Sequence, residues 1–146
     1  MLLIRRMQMD DLPQVMRLED QLFSSPWSST MMIQELNSHE AFVAEFHGQI
    51  AGYICCWKVL DECTITNVGV DVEVQRQGIG RRLVNFIMDR MQQEGCDEFF
   101  LEVRASNLPA LALYRSIGFE VVGVRRKYYS HPVEDAMIMK WEKDEK

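Results

Sequence analysis

Three places in this 146-residue chain combine residue types that can do chemistry. The first is Gln75-Arg-Gln-Gly-Ile-Gly-Arg-Arg82, which follows a β-branched run and opens a helical stripe. The first turn of a helix carries unpaired N–H groups and a positive dipole end, so it can hold an anion. Gly78 and Gly80 let an anion come close to the backbone, and Arg76, Arg81 and Arg82 stand there with no acid among them. This is the composition of a diphosphate cradle; a glycine-punctuated helix start with solvated arginines is the plainer alternative. A dinucleotide fingerprint would need glycine or alanine where Leu83 stands, and a P-loop would need Gly-Lys-Ser/Thr. Neither is present.

The second place is Glu102, between Leu101 and Val103 on a strand-like segment. Alternation puts it on the face shared with Phe100 and Arg104. There a carboxylate can take a proton from an amine, directly or through water, or it can pair with Arg104 or with solvent. The third is Tyr114, among Leu111, Leu113 and Ile117 on a helical segment. A phenol has a pKa of about 10 and a thiol about 8.5, so tyrosine keeps its proton at neutral pH and can give it to a departing thiolate. A core tyrosine with a satisfied hydroxyl is the other reading.

The elements that must position these groups follow from periodicity and punctuation. Leu2–Met7 reads as a short strand, and Asp10 or Asp11 caps a helix with Pro13 in its first turn. Leu12, Val15, Met16, Glu19 and Leu22 mark the turns of that helix. After the Phe23–Trp27 loop, Ser28 or Ser29 caps a second helix through Leu36. Ala41–Phe46 and Ile50–Val59 form a hairpin across His47-Gly48-Gln49, and Cys63–Asp71 is a further strand. Gly78–Glu94 is a helix with Gly95 as its stop, Glu98–Arg104 a strand, and Asn107 caps a helix that ends at Gly118. Phe119–Arg126 and Asp135–Trp141 close the chain as strands. The order β-α-α-β-β-β-α-β-α-β-β predicts a mixed sheet with helices on its faces.

Composition excludes several classes. Sixteen basic against 22 acidic residues give a net charge of −6, which disfavours sequence-independent nucleic-acid binding and would suit a basic peptide or an amine. No apolar run approaches the ~20 residues that cross a bilayer, and Arg5 and Arg6 interrupt the apolar start too early for a secretory leader. Cys55, Cys56, Cys63 and Cys96 form no C-x-x-C pair, and the three histidines are scattered. Reduced, mostly buried thiols and no metal are expected. A single cytoplasmic domain, with no nucleic acid or membrane as partner, fits these values.

With a strand before it and a helix after it, Gln75–Gly80 resembles the Arg/Gln-x-x-Gly-x-Gly/Ala signature of the GNAT N-acetyltransferases, whose loop binds the acetyl-CoA diphosphate. Ser25-Pro-Trp-Ser28, Leu101-Glu-Val-Arg-Ala-Ser-Asn107, Ala112-Leu-Tyr-Arg-Ser-Ile-Gly-Phe119, Arg126-Lys-Tyr-Tyr129 and Glu134-Asp-Ala-Met-Ile-Met139 resemble the RimI-type branch of that family. That branch acetylates the N-terminal alanine of a small-subunit ribosomal protein. The resemblance implies an α/β GNAT fold over residues 1–146, with a mixed, mostly antiparallel sheet of about seven strands and about four flanking helices. It implies Glu102 as general base and Tyr114 as general acid, with direct transfer in a ternary complex.

The same resemblance implies cofactor contacts. The backbone of Val68, Gly69 and Val70 would run beside the pantetheine arm, with one N–H facing the thioester carbonyl. Arg76, Gln77, Gly78, Ile79, Gly80 and Arg81 would surround the diphosphate, and Asn107 would touch the cofactor besides capping its helix. Gly69 stands where the family has alanine, a change expected to have little consequence. The Phe23–Trp27 and Lys127–Glu134 loops would flank the acceptor, with Trp27, Tyr128, Tyr129 and Glu134 as candidate contacts. Trp27 as a hydrophobic staple and Tyr129 as sheet packing are the alternatives. The expected partner is a protein N-terminus, that of a ribosomal protein, bound by a monomer. A chain α-amine, with pKa about 7.7–8.0 against about 10.4 for lysine, is the more available nucleophile at neutral pH. Lysine side chains or a small amine as acceptor, and a non-catalytic CoA-binding subunit, are the rival readings.

Overall fold

The computed structural model describes residues 2–143. Seven strands form one sheet: β1 (Leu2–Arg6), β2 (Glu40–Phe46), β3 (Gln49–Val59), β4 (Glu62–Val70), β5 (Glu98–Arg104), β6 (Glu120–Ser130) and β7 (Val133–Glu142). Four helices cover it: α1 (Leu12–Leu22), α2 (Ser29–Ser38), α3 (Ile79–Gln93) and α4 (Leu108–Ile117). The mixed sheet with helices on its faces is what the residue pattern predicts, and its mostly antiparallel character is what the family resemblance implies.

Alternation along the strands assigns each side chain to a layer. Phe42 and Ala44 of β2, with Ile54 and Cys56 of β3, join the core under α3 and α4, where Leu83, Ile87, Met91 and Leu111 are buried. Ala41, Val43, Tyr53 and Cys55 face the other way, onto Val15, Leu18 and Met32 of α1 and α2. All four cysteines are buried free thiols. Among the described residues, no helix is long and apolar enough to cross a membrane.

The spatial order is β1-β2-β3-β4-β5-β7-β6, and β4–β5 is the parallel contact. A parallel pair needs a crossover, which α3 provides. Only three residue pairs hold that contact, from Glu62–Glu98 to Thr64–Phe100. Beyond Thr64 the two strands part, and from Ile65 onward β4 has no strand partner on that side.

Two expectations are corrected. Asp11 does not cap α1 with its side chain: its carboxylate accepts from the Gln8 N–H at 2.7 Å and from Arg5 at 2.8 and 2.9 Å, so it secures a 3-10 turn before the helix. The Lys127–Glu134 segment is not an open loop. β6 and β7 run to Ser130 and from Val133, and the pairing slips between Arg125 and Tyr129, where extra residues bulge out. Lys127 takes φ 52° there, and its N–H bonds the Asp135 carboxylate at 2.9 Å. Such a bulge hides the alternation by which a strand is read from sequence.

Candidate active site

The parting of β4 and β5 opens a cleft of about 670 Å³. A bulge sharpens it on the β4 side: Cys55 pairs with Asn67 and Cys56 with Ile65, which leaves Thr66 as the extra residue. Both Thr66 and Glu102 line the cleft. The Thr66 Oγ1 and Glu102 Oε2 atoms are buried without a hydrogen-bond partner. Native folds seldom leave such atoms unmet, so each has capacity to spare for a ligand. Glu102 does share its face with Arg104 and Phe100, as alternation predicts, but its ion contact is different. Arg125 Nε lies 3.1 Å from Oε2 without hydrogen-bond alignment, while Arg104 pairs with Glu134 at 3.2 Å.

Tyr114 approaches from the opposite layer. It sits on α4, is 8% exposed, belongs to the core under α3 and α4, and lines the same cleft. Burial, helped by nearby Tyr129, pushes its phenol up to about 12, so it stays protonated through the neutral range. Pro109 stands in the first turn of α4, and the Asn107 side chain caps that helix by accepting from Ala110 N–H at 3.2 Å.

The glycine loop lies at the start of α3. Gly78 is the N-cap residue with φ 81°, offers no side-chain cap, and a Cβ there would meet nothing within 4 Å. A Cβ on Gly80 would make only ordinary contacts, 3.5 Å from Leu113 and 3.7 Å from Val70. Packing within the chain therefore demands glycine at neither position. Open space over uncapped helix N–H groups fits a diphosphate. Arg76 and Gln77 are exposed beside it, and Arg81 donates to Ser116 Oγ. Ile79 is 5% exposed with its side chain in the core, so it offers only backbone. Val68 lines the cleft, and the Val70 carbonyl accepts from Gln75 at 3.0 Å.

Gly69 has a larger consequence than expected. A Cβ there would lie 2.6 Å from Cζ of Tyr53. The Tyr53 ring occupies that space so that its hydroxyl donates to Glu19 at 2.6 Å. Glu19, 1% exposed, also accepts from Asn67 Nδ2 at 2.7 Å and from the Trp27 N–H at 2.9 Å. One carboxylate thus ties α1, β3, the β4 bulge and the α1–α2 loop behind the cleft. The sequence reading missed this role, although the signal was present: Glu19 is an acid on the apolar stripe of α1.

Trp27, Tyr128, Tyr129 and Glu134 all line the cleft. Trp27 also packs on the core of that layer, and Tyr128 is exposed. Burial and the charge of Glu102 push the Tyr129 hydroxyl up to about 12. Hydrogen bonding from Ser106, and then from Arg104, holds the Glu134 carboxyl below its usual range. Arg104 stacks over Tyr129 at 4.2 Å. Gly69, Val70 and residues 76–81 lie outside the cleft walls, so the structure gathers the proposed acid, base and acceptor contacts in one place and the anion loop in another.

This parted mixed sheet, with a glycine loop at the head of its crossover helix, is the scaffold of an acyl-group transferase. The chain belongs to the acetyltransferase (GNAT) family, whose model matches residues 12–119. It is 37% identical over 139 residues, 93% of this chain and 94% of the other, to the ribosomal protein bS18-alanine N-acetyltransferase of Escherichia coli K12. It is 40% identical over 131 residues, 84% of this chain and 81% of the other, to the N-alpha-acetyltransferase RimI of Mycobacterium tuberculosis. The crystal structure of the ribosomal-protein-S18-alanine N-acetyltransferase from Escherichia coli superimposes with a TM-score of 0.91 at 36% identity, covering 97% of this chain and 94% of that one.

Proposed function

We propose that this acetyltransferase moves an acetyl group from acetyl-CoA to the N-terminal α-amine of a protein, the N-terminal alanine of a small-subunit ribosomal protein. The observation that carries the reading is the meeting of Glu102 and Tyr114 in one cleft, the carboxylate with a buried oxygen that has an ion contact to Arg125 but accepts no hydrogen bond. The likeness over nearly the whole length to enzymes named for that reaction supports it.

The residues divide the work by layer. The head of α3 and the glycines at 78 and 80 hold the diphosphate, with Arg76, Gln77 and Arg81 around it; Val68, Gly69, Val70 and Asn107 line the path inward. Acetyl-CoA supplies the acetyl group as a thioester. Glu102 Oε2 accepts a proton from the acceptor amine, directly or through a water. Tyr114 Oη holds a proton at neutral pH and gives it to the departing sulfur. An N–H on the unpaired edge of β4 faces the carbonyl oxygen and stabilises the charge that grows there, a contribution of about 3 kcal/mol. Trp27, Tyr128, Tyr129 and Glu134 grip the acceptor.

The test is product mass after incubation with acetyl-CoA and two peptides, one starting with alanine and one with a blocked N-terminus and an internal lysine. Acetylation of the free N-terminus is expected. Acetyl appearing only on lysine overturns the reading.

A further inference from the structure

Arg104 makes four hydrogen bonds from its place in the cleft wall. Its Nη1 donates to the Pro132 carbonyl at 3.1 Å and to Glu134 Oε1 at 3.2 Å. Its Nη2 donates to Ser24 Oγ at 2.9 Å and to the His131 carbonyl at 3.3 Å. The planar guanidinium also lies over the Tyr129 ring. Ser24 belongs to the α1–α2 loop; His131, Pro132 and Glu134 belong to the β6–β7 turn and its flank. These segments are 80 and about 27 residues distant from Arg104 in the chain, and the one fork joins them.

We propose that Arg104 is a positioning residue for the acceptor: its guanidinium latches the α1–α2 loop to the β6–β7 turn across the mouth of the cleft. The proposal rests on the N-terminal acetylation reading only in taking these two segments as the walls between which the acceptor lies. A loop held at one end by a carboxylate is free to swing at the other. Glu19 holds Trp27; Arg104 holds Ser24; the loop between them is fixed at both ends. On the far wall, Glu134 receives Arg104 on one oxygen and the Ser106 N–H on the other. Walls set in place before binding spare the acceptor the cost of ordering them. Arginine suits the task because several N–H groups leave one rigid plane in fixed directions; a lysine ammonium on a flexible stem cannot reach both walls in the same geometry.

The test compares wild type with Arg104→Lys, Arg104→Met and Ser24→Ala, in two measurements. In steady-state kinetics with an alanine-initiated peptide, both Arg104 variants should raise the peptide KM by about tenfold or more and leave the KM for acetyl-CoA nearly unchanged. Arg104→Lys recovers thermal stability but not the peptide KM. Ser24→Ala, at an exposed position, removes one end of the latch, so it raises the same KM severalfold without lowering the melting temperature. In hydrogen–deuterium exchange of the unliganded protein, both segments 23–27 and 131–134 should speed up together in the Arg104 variants. Full recovery of the peptide KM by lysine, an equal rise in both KM values, or faster exchange in only one segment overturns the latch. A wild-type chain that acetylates lysine and no N-terminus overturns the function proposed above instead, and the latch is then judged by the same KM ratio with the lysine peptide.

Discussion

In the proposed transfer, the base and the acid are not interchangeable carriers of a proton, because their surroundings differ. Glu102 keeps an oxygen free of hydrogen bonds inside the cleft, whereas burial lifts Tyr114 to about 12. Glu102→Gln and Tyr114→Phe should each lower kcat by about 10²–10⁴ and hold acetyl-CoA affinity within a few-fold. Equal losses in binding and turnover would remove both assignments. A phenol lifted that far stays protonated up to about pH 10, so any alkaline loss of activity below this point must persist in the residual activity of Tyr114→Phe. Its disappearance there would show that Tyr114 titrates earlier. Gly69 gives a second prediction at the same scale. Gly69→Ala forces the Tyr53 ring off Glu19 and should destabilise the fold by about 1–3 kcal/mol. Tyr53→Phe costs a similar amount by removing one donor from a buried carboxylate. Because both changes break the same hydrogen bond, the double variant should cost less than their sum; strict additivity in urea denaturation would refute the coupling.

At the scale of elements, legibility depended on whether a boundary is written in one residue or in a pairing. α3 and α4 begin and end where the sequence punctuates them, at Gly78, Gly95, Asn107 and Gly118, since each of these residues takes a backbone state or makes a bond that stops a helix. The extent of β6 and β7 was not legible: the bulge at residues 126–128 breaks the period-two pattern, and only the partner strand shows that pairing resumes at Tyr129. The parting of β4 from β5 was equally hidden. Each reads as an ordinary strand, and their short shared register exists only in three dimensions. Candidate residues on motifs were legible for the same reason as the helix ends, while Glu19 and Arg104 bond neighbours distant in sequence and Thr66 is set apart by a register shift. The anion loop yields its own prediction. Gly78→Val should fold with a penalty of about 1–2 kcal/mol for a side chain at positive φ, and should weaken acetyl-CoA binding by at least about tenfold, because its side chain enters the open space over the helix head. Unaltered affinity in a calorimetric titration would move the diphosphate elsewhere.

Across the whole molecule, charge and burial set how the fold responds to acid. The Arg5 guanidinium holds the Asp11 carboxyl below its usual range, by hydrogen bonds first and charge second. A carboxyl harder to protonate when folded contributes stability that is complete above its unfolded pKa of about 3.9 and is lost as pH falls through the lower folded value. Denaturation between about pH 3 and 7 should therefore show a shallower acid decline for Asp11→Asn than for wild type; parallel declines would mean that the pair contributes nothing. The two faces of the sheet have a last consequence for traffic. Glu102 looks toward the side of α1 and α2, and Tyr114 comes from the side of α3 and α4, so in the proposed transfer the site would have two doors and a shared threshold. On that reading an acceptor standing in one doorway would leave the other clear for the spent thiol.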